Sequence, residues 1–91
     1  MRIARRYIVK GRVQGVGFRY FTNNLANRIG VYGYVKNLFD GSVEIYAIGT
    51  IDQHNLLKKG LRQGPSFSRV DNLIEEEMEV NRGFMSFDIR F

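Results

Sequence analysis

Residues Arg6–Gly30 read RYIVKGRVQGVGFRYFTNNLANRIG, and a change of period within them decides the fold. Over Arg6–Val13 apolar and polar side chains alternate, which is typical of a β-strand covered on one face. Over Phe18–Ile29 apolar residues instead recur every three or four positions, which predicts a helix that stops at Gly30. The turn Gln14–Gly17 between them carries two glycines. The stretch therefore predicts a strand, a glycine turn and a helix in direct succession.

The next part of the chain returns to strand patterns. Apolar and polar residues alternate over Val31–Asn37 and again over Val43–Ile48. The dipeptide Asp40-Gly41 lies between them and is a strong signal for a hairpin turn. We therefore expect the second and third strands to pair as an antiparallel hairpin.

A second helix is predicted over Ile51–Gln63. Thr50 and Gln53 have the spacing of a capping box, which marks the start of a helix. Gly60 weakens a helix by about 1 kcal/mol relative to alanine, so we expect a loose last turn. Two further strands close the chain, Arg69–Val80 and Ser86–Phe91.

The resulting order is β-α-β-β-α-β with an extra C-terminal strand. Strands with one apolar face need a cover on one side only. The economical solution is an α+β sandwich of the ferredoxin-like type, with two helices packed on one face of an antiparallel sheet. The chain has 91 residues and no linker, internal repeat or low-complexity segment, so we expect residues 1–91 to form a single domain.

This topology makes a prediction about where two segments meet. A strand that continues through a helix into a second strand of the same sheet forms a crossover, so the two strands run parallel. Their carboxyl ends then lie at the same edge of the sheet. We therefore expect the loop Gln14–Arg19 and the side chain of Asn37 to face the same region.

The loop Gln14–Phe18 has features of an anion site. It leads from a strand into a helix N-terminus, where free backbone N–H groups and the helix dipole attract negative charge. Glycine at positions 15 and 17 permits close backbone approach. Arg19 lies in the first helical turn, where a cation opposes the helix dipole and an acid is preferred. Such a placement indicates that an anion is expected there, although a plain glycine turn between strand and helix explains the loop equally well.

Two motifs resemble those of the acylphosphatase family. The first, Gly11–Arg19, reads GRVQGVGFR and fits the signature G-x-V-Q-G-V-x-F-R at each specified position. The second, Gly33–Asn37, reads GYVKN and is followed by Gly41, Val43 and Gly49 at the family's spacing. The β-α-β-β-α-β order is also the one found in that family. The resemblance thus extends over essentially the whole chain.

The resemblance implies an enzyme that hydrolyses the carboxyl-phosphate bond of an acyl phosphate to a carboxylate and inorganic phosphate. It implies no cofactor, no metal and no covalent intermediate. Inorganic phosphate and similar anions are then expected as product and inhibitors. The resemblance implies Arg19 and Asn37 as catalytic groups, Asn37 orienting the attacking water, and Gly15, Val16, Gly17, Phe18 and Arg19 as the phosphate-binding residues.

The composition agrees with such chemistry. The chain has no cysteine and one histidine, His54, which excludes a thiol nucleophile and a multi-histidine metal site. Phosphoryl transfer depends mainly on positioning and on charge stabilisation, so neither is needed. Residues 1–39 carry eight basic side chains and no acidic one, which favours an anionic partner for the N-terminal half.

The sequence leaves other functions open. The same strand and helix order occurs in the RRM, a single-stranded RNA-binding module, and Tyr32–Val35 imitates part of its RNP1 motif. That motif belongs on the third strand, however, whereas this segment is the second. An acylphosphatase-like domain with another task, such as passing on a carbamoyl phosphate fragment, is a further alternative. We expect a cytoplasmic monomer that acts on a small molecule and binds neither nucleic acid nor membrane.

Several other residues are candidates for structural roles. His54 has leucines three and seven positions later, which favours a structural histidine. Thr22 lies one turn after Arg19, where its hydroxyl can bond either to the site or to its own helix. The acids Glu75, Glu76, Glu77 and Glu79 are interpreted as a solvated strand face. Phe18, Phe21, Phe84, Phe87 and Phe91 are interpreted as core.

Overall fold

A computed structural model describes all residues from Met1 to Phe91. Five strands and two helices follow one another in the predicted order. They are β1 (Ile3–Arg12), α1 (Phe18–Ile29), β2 (Tyr32–Asn37), β3 (Val43–Gly49), α2 (Ile51–Gln63), β4 (Arg69–Met78) and β5 (Phe87–Arg90).

Both helices begin and end where the sequence predicts. α1 stops at Gly30, whose N–H donates to the carbonyl of Ala26. At the start of α2 the hydroxyl of Thr50 accepts from the N–H of Gln53, and the side chain of Gln53 accepts from the N–H of Thr50, which completes the capping box. These local signals work because each involves residues within one turn of the chain.

Gly60 does not interrupt α2, and it lies where the two helices approach each other. A Cβ atom added at Gly60 would lie 2.4 Å from Cδ2 of Leu25 in α1. Glycine at this position therefore lets α2 pack closely against α1, and the helix continues without interruption to Gln63.

The sheet has the order β4-β1-β3-β2-β5. Four strands pair antiparallel, as expected, but β5 pairs parallel with β2, so the sheet is mixed rather than antiparallel. β1 and β2 each pair antiparallel with β3, which lies between them. They therefore run in the same direction, and their carboxyl ends meet at one edge of the sheet as predicted.

A single large apolar cluster joins both helices to one face of the sheet. It contains Val9 of β1 and Val35 of β2 together with Phe18 of α1 and Leu57 of α2. The central strand β3 is buried along its whole length. This differs from the expectation that each strand is covered on one face only. The reason is a second, smaller cluster on the far face, built from Ala4, Tyr46 and Ile48 under the partly buried rings of Tyr32, Tyr34 and Phe84.

The observed ends of β1 and β4 differ by a few residues from the predicted ones. β1 begins three residues earlier than expected because Ile3 already pairs with Gly49 of β3. β4 stops at Met78, before the predicted Val80. Neither helix has the length and apolar composition required to cross a membrane.

Candidate active site

The loop between β1 and α1 is shaped by two glycines. Gly15 has φ +74° and Gly17 has φ +77°, a left-handed conformation that side chains disfavour. A Cβ atom at either position would meet no other atom within 4 Å. The glycines are thus required by the backbone conformation and not by crowding, and they leave the concave side of the loop open.

The loop presents unused backbone donors. The first helical hydrogen bond of α1 runs from the N–H of Phe21 to the carbonyl of Gly17, at 3.0 Å. No N–H group of Gly15–Tyr20 donates to an acceptor within the protein. Gly17 caps the helix without a side-chain hydrogen bond, and the first turn contains no acid. These donors therefore remain free beside the positive end of the helix dipole, as in an anion-binding helix terminus.

Arg19 adds a permanent positive charge beside these donors. Its Nη1 donates to the carbonyl oxygen of Arg90 at 3.2 Å, and its guanidinium carbon lies 4.6 Å from the centroid of the Phe91 ring. No carboxylate lies within ion-pair distance of it. The charge of Arg19 is therefore not neutralised by the protein and remains available to an anion.

Asn37 lies at the carboxyl end of β2 and faces the loop. It lines the same cavity of about 290 Å³ as Gly15, Gly17 and Arg19. Its Oδ1 atom is buried and has no hydrogen-bond partner in the protein. Because an unpaired buried acceptor is costly, this oxygen calls for a donor from outside the chain, such as water.

The predicted phosphate-binding residues thus lie together, with a difference between backbone and side chains. Gly15, Gly17 and Phe18 line the cavity itself. The side chain of Val16 turns away and packs against the core, so only the backbone of this residue is available to the cavity. The cavity is completed by apolar or aromatic side chains that sequence reasoning missed or misplaced, namely Val13, Tyr20, Ile89 and Phe91.

Phe91 corrects an expectation. It was predicted to lie in the core, but it is 99% exposed and its ring contacts Arg19. Phe18 and Phe87 do lie in the core. Because β5 joins the sheet at the edge beside β2, the end of the chain reaches the cavity, and no local pattern in the sequence indicates this.

His54 does not line this cavity. Its Nδ1 accepts from the hydroxyl of Tyr7 at 2.6 Å, and its Nε2 donates to the carbonyl of Ile3 at 2.9 Å. Both ring nitrogens are therefore engaged within the protein. Burial lowers the pKa of His54, and burial raises the pKa of Tyr7 to about 12. The interpretation of His54 as a structural residue agrees with this arrangement.

The remaining candidates behave differently from one another. Thr22 is fully buried, but its hydroxyl bonds neither to the site nor to its own helix. Glu75 and Glu76 point to opposite faces of β4 as expected, yet both form ion pairs and are not merely solvated. Glu75 pairs with Arg5 and Lys58, and Glu76 pairs with Arg6. No group of three or more histidines, cysteines or acids is arranged to hold a metal ion.

Comparisons with known proteins show the family of this chain. The acylphosphatase family model matches residues 5–89. The chain is 47% identical over 89 residues to an acylphosphatase of Pasteurella multocida, covering 98% of this chain and 99% of the relative. The fold matches the crystal structure of acylphosphatase from Bacillus subtilis with a TM-score of 0.93 at 38% identity, over 100% of both chains. An acylphosphatase structure from Coxiella burnetii matches with a TM-score of 0.92 at 35% identity, covering 98% of this chain and 93% of that one.

Proposed function

Because this chain belongs to the acylphosphatase family, we propose that the cavity between the loop Gly15–Arg19 and Asn37 is its active site. Its activity is that of an acylphosphatase, which hydrolyses the carboxyl-phosphate bond of an acyl phosphate to a carboxylate and inorganic phosphate. We further propose that residues 1–91 act as one catalytic domain.

In this proposal the loop binds the phosphate group. The backbone N–H groups of Gly15, Val16, Gly17 and Phe18 donate to its oxygens, and Arg19 adds a planar pair of charged donors. The support is that these N–H groups have no acceptor in the protein and that Arg19 has no acidic partner. Donors that are already fixed in place stabilise the charge that spreads over the phosphate oxygens in the transition state.

Asn37 orients the attacking water. Its buried Oδ1 accepts a hydrogen bond from the water and turns the water oxygen toward phosphorus. As the new oxygen–phosphorus bond forms, the bond from phosphorus to the carboxyl oxygen breaks, and its electron pair leaves with the carboxylate. Holding the water in line removes much of the entropic cost of the attack.

The leaving group explains why the site needs no acid. A carboxylate is a weak base and departs without a proton, so a general acid contributes little to the rate. We therefore propose direct attack by water, without a metal ion, a cofactor or a covalent intermediate. The protons of the water end on inorganic phosphate or in solvent.

The observation that carries the proposal is the meeting of an unpaired cation, Arg19, and an unpaired buried acceptor, Asn37, on one cavity. The test is hydrolysis of acetyl phosphate and benzoyl phosphate in the presence of a chelator. We expect Arg19→Ala to lower kcat/KM by at least about 10³-fold, chiefly through lost phosphate binding, and Asn37→Ala to lower kcat by about 10²-fold or more.

Arg28→Ala is the matched control, because Arg28 lies in the last turn of α1 and does not line the cavity. It should retain full activity. Activity that disappears with the chelator would contradict the metal-free mechanism, and near-normal hydrolysis by Arg19→Ala would sink the assignment of the site.

We also propose that the protein acts as a cytoplasmic monomer on small anions and binds neither nucleic acid nor membrane. The support for a small anion is that Arg19 and the loop donors lie at one cavity of about 290 Å³. Gel filtration and titration with a labelled single-stranded oligonucleotide at low salt test this. Saturable oligonucleotide binding without acyl phosphate hydrolysis would favour the RNA-binding alternative.

A further inference from the structure

We propose that Gln14 is a positioning residue of the reaction, which holds Asn37 in place for the attacking water. The inference rests on the proposed function of Asn37. Gln14 precedes the first loop donor, Gly15, and its side chain reaches the turn that follows Asn37. A single side chain thus connects the phosphate loop to the residue that orients water.

The contact is a pair of hydrogen bonds from one amide. Nε2 of Gln14 donates to the carbonyl of Leu38 at 2.8 Å and to the carbonyl of Ser42 at 2.9 Å. These two bonds use both hydrogens of the amide nitrogen, so this nitrogen has none left for a phosphate. Leu38 is the residue directly after Asn37.

The turn that Gln14 contacts is itself well defined. The N–H of Leu38 donates to the carbonyl of Ser42 at 2.9 Å, and the N–H of Gly41 donates to the carbonyl of Leu38 at 3.2 Å. A carboxylate oxygen of Asp40 accepts from the N–H of Ser42 at 3.0 Å. Gln14 therefore holds a preformed turn at two points, which restricts its orientation as well as its distance.

The sheet itself provides no direct connection between the end of β1 and the turn that follows Asn37. β1 and β2 are separated by β3, and the pairing of β1 with β3 ends at Val9 opposite Val43. The pairing of β2 with β3 ends at Asn37 opposite the same Val43. Beyond Val43 no strand lies between the end of β1 and the end of β2. These ends are two inter-strand spacings apart, which is roughly 10 Å. Gln14 bridges this gap directly in front of β3.

This geometry predicts an effect on turnover and not on phosphate binding. The loop donors and Arg19 keep their own positions when the amide of Gln14 is lost, because glycine conformations and the helix N-terminus shape them. Asn37, in contrast, loses the tie between its turn and the phosphate loop. A displacement of about 1 Å in a positioning group can lower a rate about 10²-fold.

The test compares Gln14→Met with the parent enzyme on benzoyl phosphate. Methionine keeps the length of the side chain but donates no hydrogen bond. We expect kcat to fall about 10- to 100-fold. KM and the inhibition constant of inorganic phosphate should change less than about threefold, which is less than the loss of one direct contact with phosphate would cause. Gln63→Met, at the exposed end of α2, is the matched control and should leave all three constants unchanged.

A double variant separates positioning from general damage. If Gln14 acts through Asn37, then Gln14→Met adds little to the loss already caused by Asn37→Ala. Gln14→Lys restores a donor of similar reach and should recover part of the lost kcat. If Gln14→Met does not fold, Gln14→Asn, which keeps the amide on a shorter side chain, takes its place against Gln14→Lys.

Independent, multiplicative losses in the double variant would overturn the inference, as would a loss of phosphate affinity as large as the loss of kcat. Failure of the proposed function gives a different result. In that case the parent enzyme does not hydrolyse acyl phosphates, or Asn37→Ala keeps full turnover while phosphate still binds.

Discussion

The guanidinium of Arg19 lies against the ring of Phe91, with 4.6 Å between the guanidinium carbon and the ring centroid. The carbonyl oxygen of Arg90 accepts a hydrogen bond from the same guanidinium. Seventy-one positions separate Arg19 from Arg90, yet β5 brings them together by pairing with β2 beside α1. The residues at the end of β5 therefore hold the proposed phosphate-binding arginine at the wall of a cavity that Phe91 also lines.

We expect Phe91→Ala to weaken substrate binding without changing the chemical step. An exposed cation–π contact contributes about 0.5–1 kcal/mol, so KM should rise about two- to fivefold while kcat remains close to that of the parent. Steady-state kinetics on benzoyl phosphate measure both constants. Phe67→Ala is the control, because Phe67 is also exposed but does not line the cavity. Equal effects of the two substitutions on KM would show that the contact between Phe91 and Arg19 does not contribute to substrate binding.

Arg19→Lys should lower activity strongly, although less than complete removal of the side chain does. Lysine keeps the positive charge but lacks the planar pair of donors that matches two phosphate oxygens. It also loses the bond to the carbonyl of Arg90 and the stacked contact with Phe91. We expect kcat/KM to fall about 10²-fold, measured on acetyl phosphate. A loss below about threefold would mean that charge alone, and not the fork geometry, accounts for the role of Arg19.

Stability should fall as the pH drops below about 6.5 because of His54. Burial lowers the pKa of this ring in the folded protein below its ordinary value of 6.5. Below pH 6.5 the unfolded chain therefore binds a proton that the folded protein does not, and the free energy of unfolding falls with decreasing pH. The slope from this single group cannot exceed about 1.4 kcal/mol per pH unit.

Urea unfolding at several pH values between 8 and 5 checks this expectation. The lowered carboxyl pKa of Glu75, caused mainly by its hydrogen bond from Lys58, acts at lower pH, since the ordinary value of that group is 4.5. The window above pH 5 thus isolates the histidine. His54→Leu should be less stable overall, because Tyr7 loses its partner, but its stability should be flat over the window. An unchanged slope in that variant would assign the effect to another group.

Gly60→Ala should fail to stabilise the protein, although alanine is the better helix former by about 1 kcal/mol. The added methyl group would lie 2.4 Å from Cδ2 of Leu25, so α1 and α2 must separate or Leu25 must move. Overpacking of this kind costs about 1–3 kcal/mol. Thermal and urea unfolding of Gly60→Ala, Leu25→Ala and the double variant form the test. In the Leu25→Ala background the Gly60→Ala change should become favourable; if the two effects are simply additive, the contact between the helices is not what requires glycine.

The extent to which the sequence predicts this protein depends on the distance between interacting residues. The capping box of Thr50 and Gln53 and the stop of α1 at Gly30 are predictable because their partners lie within one turn. The alternation of strands and the helical period are likewise local. Even the meeting of Asn37 with the loop follows from the sequence, since the direction of a strand after a crossover is a topological necessity.

Other features depend on residues that no local pattern connects. Nothing near Phe91 indicates that β5 would pair parallel with β2 and carry this ring to Arg19, so its interpretation as core was wrong. In the sequence Gly60 looks like a weak point of its helix, because the residue it accommodates, Leu25, lies on the other helix. The sequence by itself determined the elements, their order, the glycine loop and the family motifs. Only the tertiary structure decided which distant groups support the loop, because packing selects those partners and local periodicity does not record them.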